Sequence, residues 1–144
     1  MSNRSRSTLF LIEQLIVIAV FALCAAACVT ILTDAYFTAN RSRDVSNALL
    51  AAESSAEAFK AASGDLGTVA HLMGGVQENV GGAAAVAVYF DKQWQVCGES
   101  LANYRLHLVT GGPERSAILT SGDISVVNLL TDEELVAFSV VARG

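Results

Sequence analysis

The run from Leu9 to Leu32, LFLIEQLIVIAVFALCAAACVTIL, constrains this chain more than any other feature, because every side chain in it except Glu13, Gln14 and Thr30 is apolar or a cysteine. A helix of about 20 such residues crosses a bilayer, since in hydrocarbon only an internally hydrogen-bonded backbone leaves no polar group stranded. The sequence therefore predicts a transmembrane helix over residues 9–32. Glu13 interrupts it. A carboxylate in a spanning helix costs on the order of 2.5–3.5 kcal/mol at the bilayer centre and less near the interface, so it is usually kept for a reason. Glu13 is accordingly the leading candidate functional residue.

The chain has 144 residues, and the apolar run supplies much of its 53% hydrophobic content. Beyond Gly64 the composition is that of a soluble domain with room for one modest core. The formal charge is −5, and nine acids against four bases after Gly64 put the whole deficit there. Such a surface gives no reason to expect nucleic acid as a partner. Cys24 and Cys28 lie four apart on one face of the predicted helix, and Cys97 lies too far along the chain to reach them, since bridged Cα atoms must come within about 7 Å. The membrane pair reads as small apolar residues.

Residues 1–8 carry Arg4 and Arg6 and no acid, so the positive-inside bias predicts a cytoplasmic N-terminus and an exported C-terminal part. The apolar run is about twice the 7–15 residues of a secretory signal core. Ala25-Ala26-Ala27-Cys28 forms a poor lipid-attachment box, and the helical pattern continues past it without a polar tether.

From Thr33 to Ala62 there is neither Gly nor Pro, and Val45, Leu49, Ala52, Ala56 and Phe59 recur at alternating steps of four and three. With Arg43, Asn47, Ser54, Glu57 and Lys60 on other faces, this predicts an amphipathic helix over 33–63. Nothing breaks the pattern at the membrane boundary, so the simplest expectation is one helix from Leu9 to Ala62, roughly 80 Å long at ~1.5 Å per residue. Ser63-Gly64-Asp65-Leu66-Gly67 ends it. Val69, Leu72, Met73 and Val76 then suggest a short second helix within 68–78, after which Gly74-Gly75 and Gly81-Gly82 loosen the backbone of a connector.

Beyond the connector the period changes to two. Residues 85–90 (AVAVYF) are expected to pair with 94–97 across Asp91-Lys92-Gln93, and 103–110 (NYRLHLVT) alternates cleanly up to Gly111-Gly112-Pro113. Residues 124–129 and 135–142 read as two more strands. Thr131 with Glu134 mimics a helix capping box, but Val136, Phe138, Val140 and Val141 favour a strand. The expected class is α+β: a long N-terminal helix packed on an antiparallel sheet of four or five strands, with residues 64–144 as the head domain.

Catalytic, cofactor and metal motifs are not readable. His71 and His107 have no cysteine or carboxylate at ligand spacing, and His107 alternates with apolar residues as a partly exposed sheet position does. The paired glycines match neither a dinucleotide fingerprint nor a P-loop. Asp132, Glu133 and Glu134 read as a solvated turn rather than a calcium site. The chain is not expected to be an enzyme or to hold a cofactor.

Leu9-Phe10-Leu11-Ile12-Glu13-Gln14-Leu15-Ile16-Val17-Ile18-Ala19 resembles the N-terminal segment of type IV pilins and type II secretion pseudopilins. In that family a glycine precedes a phenylalanine-threonine-leucine-isoleucine-glutamate run and a long apolar helix. The likeness covers about twenty residues. It implies that Glu13 helps dock one subunit against another, with other pilin-like subunits, the assembly machinery and the lipid bilayer as partners. It also implies a processing site between Thr8 and Leu9, where the family has glycine before phenylalanine. The function expected is a structural subunit of a pilus- or pseudopilus-type assembly. The alternative is a membrane-anchored or lipidated binding module, with Cys28 as the lipid-bearing residue.

Overall fold

The computed structural model describes residues 2–111 and 119–143, which form two α-helices and one five-stranded antiparallel sheet. Helix α1 spans Ser2–Ala61 and α2 spans Leu66–Met73; the strands are β1 (Val76–Val80), β2 (Ala83–Phe90), β3 (Tyr104–Thr110), β4 (Leu119–Asn128) and β5 (Glu133–Arg143). Spatial order follows chain order, so every pairing is between sequence neighbours. The class is α+β, as the periodicities predict. The chain divides into two compact units, residues 1–42 and residues 43–144. The described residues of the first are all helical. The second contains the end of α1, α2 and the sheet. The side chains of Arg4 and Arg6 and the expected stop at Gly112-Pro113 lie outside the described residues.

Helix α1 ends in a doubly hydrogen-bonded cap. The Gly64 amide donates to the Phe59 carbonyl at 2.9 Å and the Ser63 amide to the Lys60 carbonyl at 3.1 Å, with Ser63 (φ 52°) and Gly64 (φ 83°) both left-handed. This 6→1 and 5→2 pattern satisfies two carbonyls that the last turn would leave bare. Asp65 then starts α2: its carboxylate accepts from the Thr68 amide at 3.0 Å and the Thr68 hydroxyl at 2.6 Å. A side-chain acceptor at this position is what the unsatisfied first-turn N–H groups require.

The short second helix stops sooner than its spacing suggests. Gly74 takes the left-handed cap (φ 66°), and Val76, expected on the helix with residues up to 78, opens β1 instead. Gly75 makes this exit feasible: a Cβ there would stand 2.7 Å from the Ala87 carbonyl oxygen, so only glycine lets the chain pass that close to β2. Gly81 and Gly82 are not a loose connector either. They form the two-residue turn between β1 and β2, both at positive φ, as a tight hairpin demands.

The expected strand over 94–97 reduces to one bridge between Phe90 and Val96. The Asp91 carboxylate accepts from the Gln93 and Gln95 amides at 2.8 and 3.0 Å, and Trp94 sits at φ 60°. That backbone folds the indole onto Tyr104 (centroids 4.2 Å apart, stacked) and Phe90 (5.7 Å). Aromatic burial thus wins over ladder formation here. Strands β3 and β4 take up the expected segments except Asn103 and Leu129, β5 contains 135–142, and the capping-box look of Thr131 and Glu134 yields to β5.

The core lies between one face of the sheet and the two helices. Val86, Val88 and Phe90 of β2, Leu106 and Leu108 of β3, Ile124 and Val126 of β4 and Val140 and Ala142 of β5 meet Ala48, Ala52, Ala56 and Phe59 of α1 and Leu66, Val69 and Ala70 of α2. The buried stripe of α1 is turned from the expected one. Ala48 and Ser55 are buried, while Val45 and Leu49 keep 36% and 42% of their surface exposed. Alanines let the helix approach closely, and Phe59 fills the gap above Gly122, where a Cβ would meet the ring at 3.3 Å.

Candidate functional site

In residues 1–42 the apolar segment is helical throughout, long and apolar enough by length and composition to cross a membrane. Its side chains are turned outward. Leu9, Phe10, Ile16 and Val17, which surround Glu13 one turn to either side, are 56–64% exposed. Glu13 is also exposed, and none of the described residues gives it a hydrogen bond or ion pair. One carboxylate therefore stands in an apolar collar with no partner among the described residues. Removed from water, such a group neutralises or finds a donor on another molecule. Thr8 and Leu9 lie in the same helix, exposed and a little more than one turn before Glu13.

Cys24 and Cys28 are exposed free thiols on α1, and the helix continues past Cys28 without a tether. Thr30 and Thr33 return their hydroxyls to the Ala27 and Val29 carbonyls at 2.8 Å, which satisfies them inside the helix. Apart from Gln14, Glu13 is the polar side chain of the run with nothing to bond.

The head carries two features that sequence reasoning did not bring together. On the face of the sheet away from the helices, Glu78 of β1 reaches across β2: its Oε1 accepts from the Tyr89 hydroxyl at 3.2 Å and its Oε2 lies 3.2 Å from His107 Nε2. Ala85 and Ala87, small and fully buried, form the floor that lets the carboxylate lie over them. Burial first, and the Glu78 and Glu99 charges second, push the Tyr89 phenol above its ordinary value. The cluster ties three strands together. A sequence signal existed in the glycine pair after the VQENV segment, which marks a hairpin and would have put Glu78 opposite Ala85. His71, in α2, takes no part. Among the described residues no group of three or more His, Cys, Asp or Glu side chains could hold a metal ion.

The second feature is an open groove of about 270 Å³ lined by Asn47, Leu50, Ala51, Ser54, Met73, Phe90 and Trp94. The indole N–H of Trp94 is buried without a partner among the described residues. Next to it, the Tyr104 phenol is pushed up to about 12 by burial, with a hydrogen bond to Asp44 and that residue's charge adding to the shift.

No family model matches the chain, and neither curated proteins nor solved structures show a match to it.

Proposed function

We propose that this chain is a non-enzymatic single-pass membrane subunit of a pilus- or pseudopilus-type assembly, with its N-terminus in the cytoplasm and residues 43–144 exported. The observation that carries the reading is Glu13, a carboxylate without a partner among the described residues and the one charged side chain of an outward-facing, largely apolar helical run. In lipid its most favourable state pairs it with a cation or donor on a neighbouring subunit's helix, and that pairing fixes one register between subunits. The resemblance of residues 9–19 to pilin N-termini supports the same role. The partners are then other pilin-like subunits, the machinery that assembles them, and the bilayer.

Glu13→Gln keeps the volume and removes the charge. The variant is expected to remain in the membrane fraction after alkaline extraction and to lose co-purification with other pilin-like subunits. Undiminished co-purification would falsify the assembly role. The N-terminal mass of the membrane-purified protein reports separately whether the chain is cut between Thr8 and Leu9.

A second reading, an anchored binding head, draws on the groove beside Trp94 and its unpaired indole N–H. Truncation at Cys28 with an added lipid mass would favour it.

A further inference from the structure

Glu13 has a neighbour in the same position as itself. Gln14 is exposed on α1, and among the described residues its carboxamide, like the Glu13 carboxylate, meets no partner. Thr30, the other polar side chain of the run, is already satisfied by the Ala27 carbonyl. In hydrocarbon an unpaired carboxamide is as misplaced as an unpaired carboxylate, and groups of this kind join membrane helices by hydrogen bonds from one helix to the next. The two cannot satisfy each other within one helix, because consecutive side chains point about 100° apart.

We propose that two copies of this chain pack side by side and parallel in the membrane, with Glu13 of each hydrogen-bonded to Gln14 of the other. The pairing rests on reading residues 9–32 as membrane-spanning and Glu13 as a docking residue, and it names both the donor and the partner. Its two-fold axis runs along the helices, so both segments cross the bilayer in the same direction. When that axis faces the middle of the ~100° sector between the two side chains, symmetry sets Glu13 of each helix beside Gln14 of the other. At about 8–10 Å between helix axes the paired Cβ atoms stand about 4–6 Å apart, within reach of a side-chain hydrogen bond. The match holds in either protonation state, because a carboxamide donates its N–H to a carboxylate and accepts from a neutral carboxyl through its oxygen. Donor and acceptor belong to one chain, so the face is complementary to itself and a second copy completes it.

The same sector carries its own reporters. At ~100° per residue, Cys24 falls about 20° and Cys28 about 60° past Glu13, both between the directions of Glu13 and Gln14. Their thiols are exposed and free. Residues near the middle of the sector meet their own counterparts across the axis, inside the roughly 7 Å that bridged Cα atoms allow. Ala26, at the same depth, points about 220° from Glu13 and so away from the partner.

The test uses the full-length chain in membranes, oxidised with copper phenanthroline. With Cys24 or Cys28 as the sole cysteine and the other two replaced by alanine, at least one of the two chains is expected to form a disulfide-linked dimer. Ala26→Cys in a chain without its native cysteines is expected to stay monomeric. In the chain that cross-links, Gln14→Leu or Glu13→Leu should each cut the dimer about tenfold, because either change removes both hydrogen bonds. Glu13→Gln should keep it, since one carboxamide bonds another. The exchange is overturned by no dimer from either cysteine, an equal dimer from Ala26→Cys, indifference to Gln14→Leu, or loss of the dimer with Glu13→Gln. The assembly role is read separately, by co-purification of the Glu13→Gln chain with other pilin-like subunits. A kept cross-link with undiminished co-purification overturns that role alone, and an absent cross-link with lost co-purification overturns the Gln14 pairing alone.

Discussion

Phe59 and Ser55 lie four apart on the buried face of α1, with opposite consequences for stability. Phe59 is fully buried with its ring over Gly122, so Phe59→Ala should leave a cavity and lower the unfolding free energy by ~3–5 kcal/mol in denaturant titration. The Ser55 hydroxyl is equally buried and has no partner among the described residues, so Ser55→Ala should raise stability by about 1 kcal/mol in the same assay. The sequence placed Phe59 on the core stripe but not Ser55, because periodicity weighs hydrophobicity and Ser55 is polar. Tyr104 gives a pH signature. Its phenol is pushed up to about 12 from an ordinary 10, so between these values the unfolded chain ionises while the folded one does not. That contribution to stability is fully present below pH 10 and is lost as pH rises toward 12. Ultraviolet titration should place the Tyr104 phenol near 12, with Tyr89 also above its ordinary value, and Asp44→Asn should bring Tyr104 down.

Among the elements, α2 depends most on a single polar contact. Hydrogen bonds from the Thr68 hydroxyl, then the Thr68 and Gly67 amides, hold the Asp65 carboxyl below its ordinary 3.8. A depressed carboxylate stabilises the fold above its unfolded pKa, and the contribution is lost as pH falls through the folded one. Asp65→Ala should therefore lower the melting temperature at neutral pH, and the gap from the parent chain should shrink once the pH drops below about 3.8. The strand over 104–110 is legible because alternation there has no rival, and the one over 135–142 because Val136, Phe138, Val140 and Val141 outweigh the capping-box look of Thr131 and Glu134. β1 was not, because Val76 continues the helical spacing of Val69, Leu72 and Met73. The tie was broken by Gly74 and Gly75, whose roles are a left-handed cap and a close backbone crossing. Trp94 escaped in a similar way: its β-propensity pointed to a strand, and stacking on Tyr104 moved it off the ladder.

At the scale of the molecule, the division at residue 42 separates a helical segment long and apolar enough to cross a membrane from the unit that holds the core. Every side chain of the hydrophobic core falls between Ala48 and Ala142, so residues 43–144 have what they need to fold without the apolar segment. A chain beginning at Arg43 should express in soluble form with cooperative thermal unfolding, checked by circular dichroism; a molten or aggregated product would show that the head needs residues 1–42. The sequence by itself determined the apolar helix, the isolated carboxylate in it and the change of period from helix to strand, because each is a local pattern that any tertiary arrangement must respect. Tertiary structure alone decided which face of α1 is buried, how Glu78 meets Tyr89 and His107 across three strands, and that β1 and β5 end the strand order of the sheet. Those outcomes turn on how closely backbones approach at alanine and glycine and on which strands become neighbours, and these distances between residues remote in the chain are set only when the core closes.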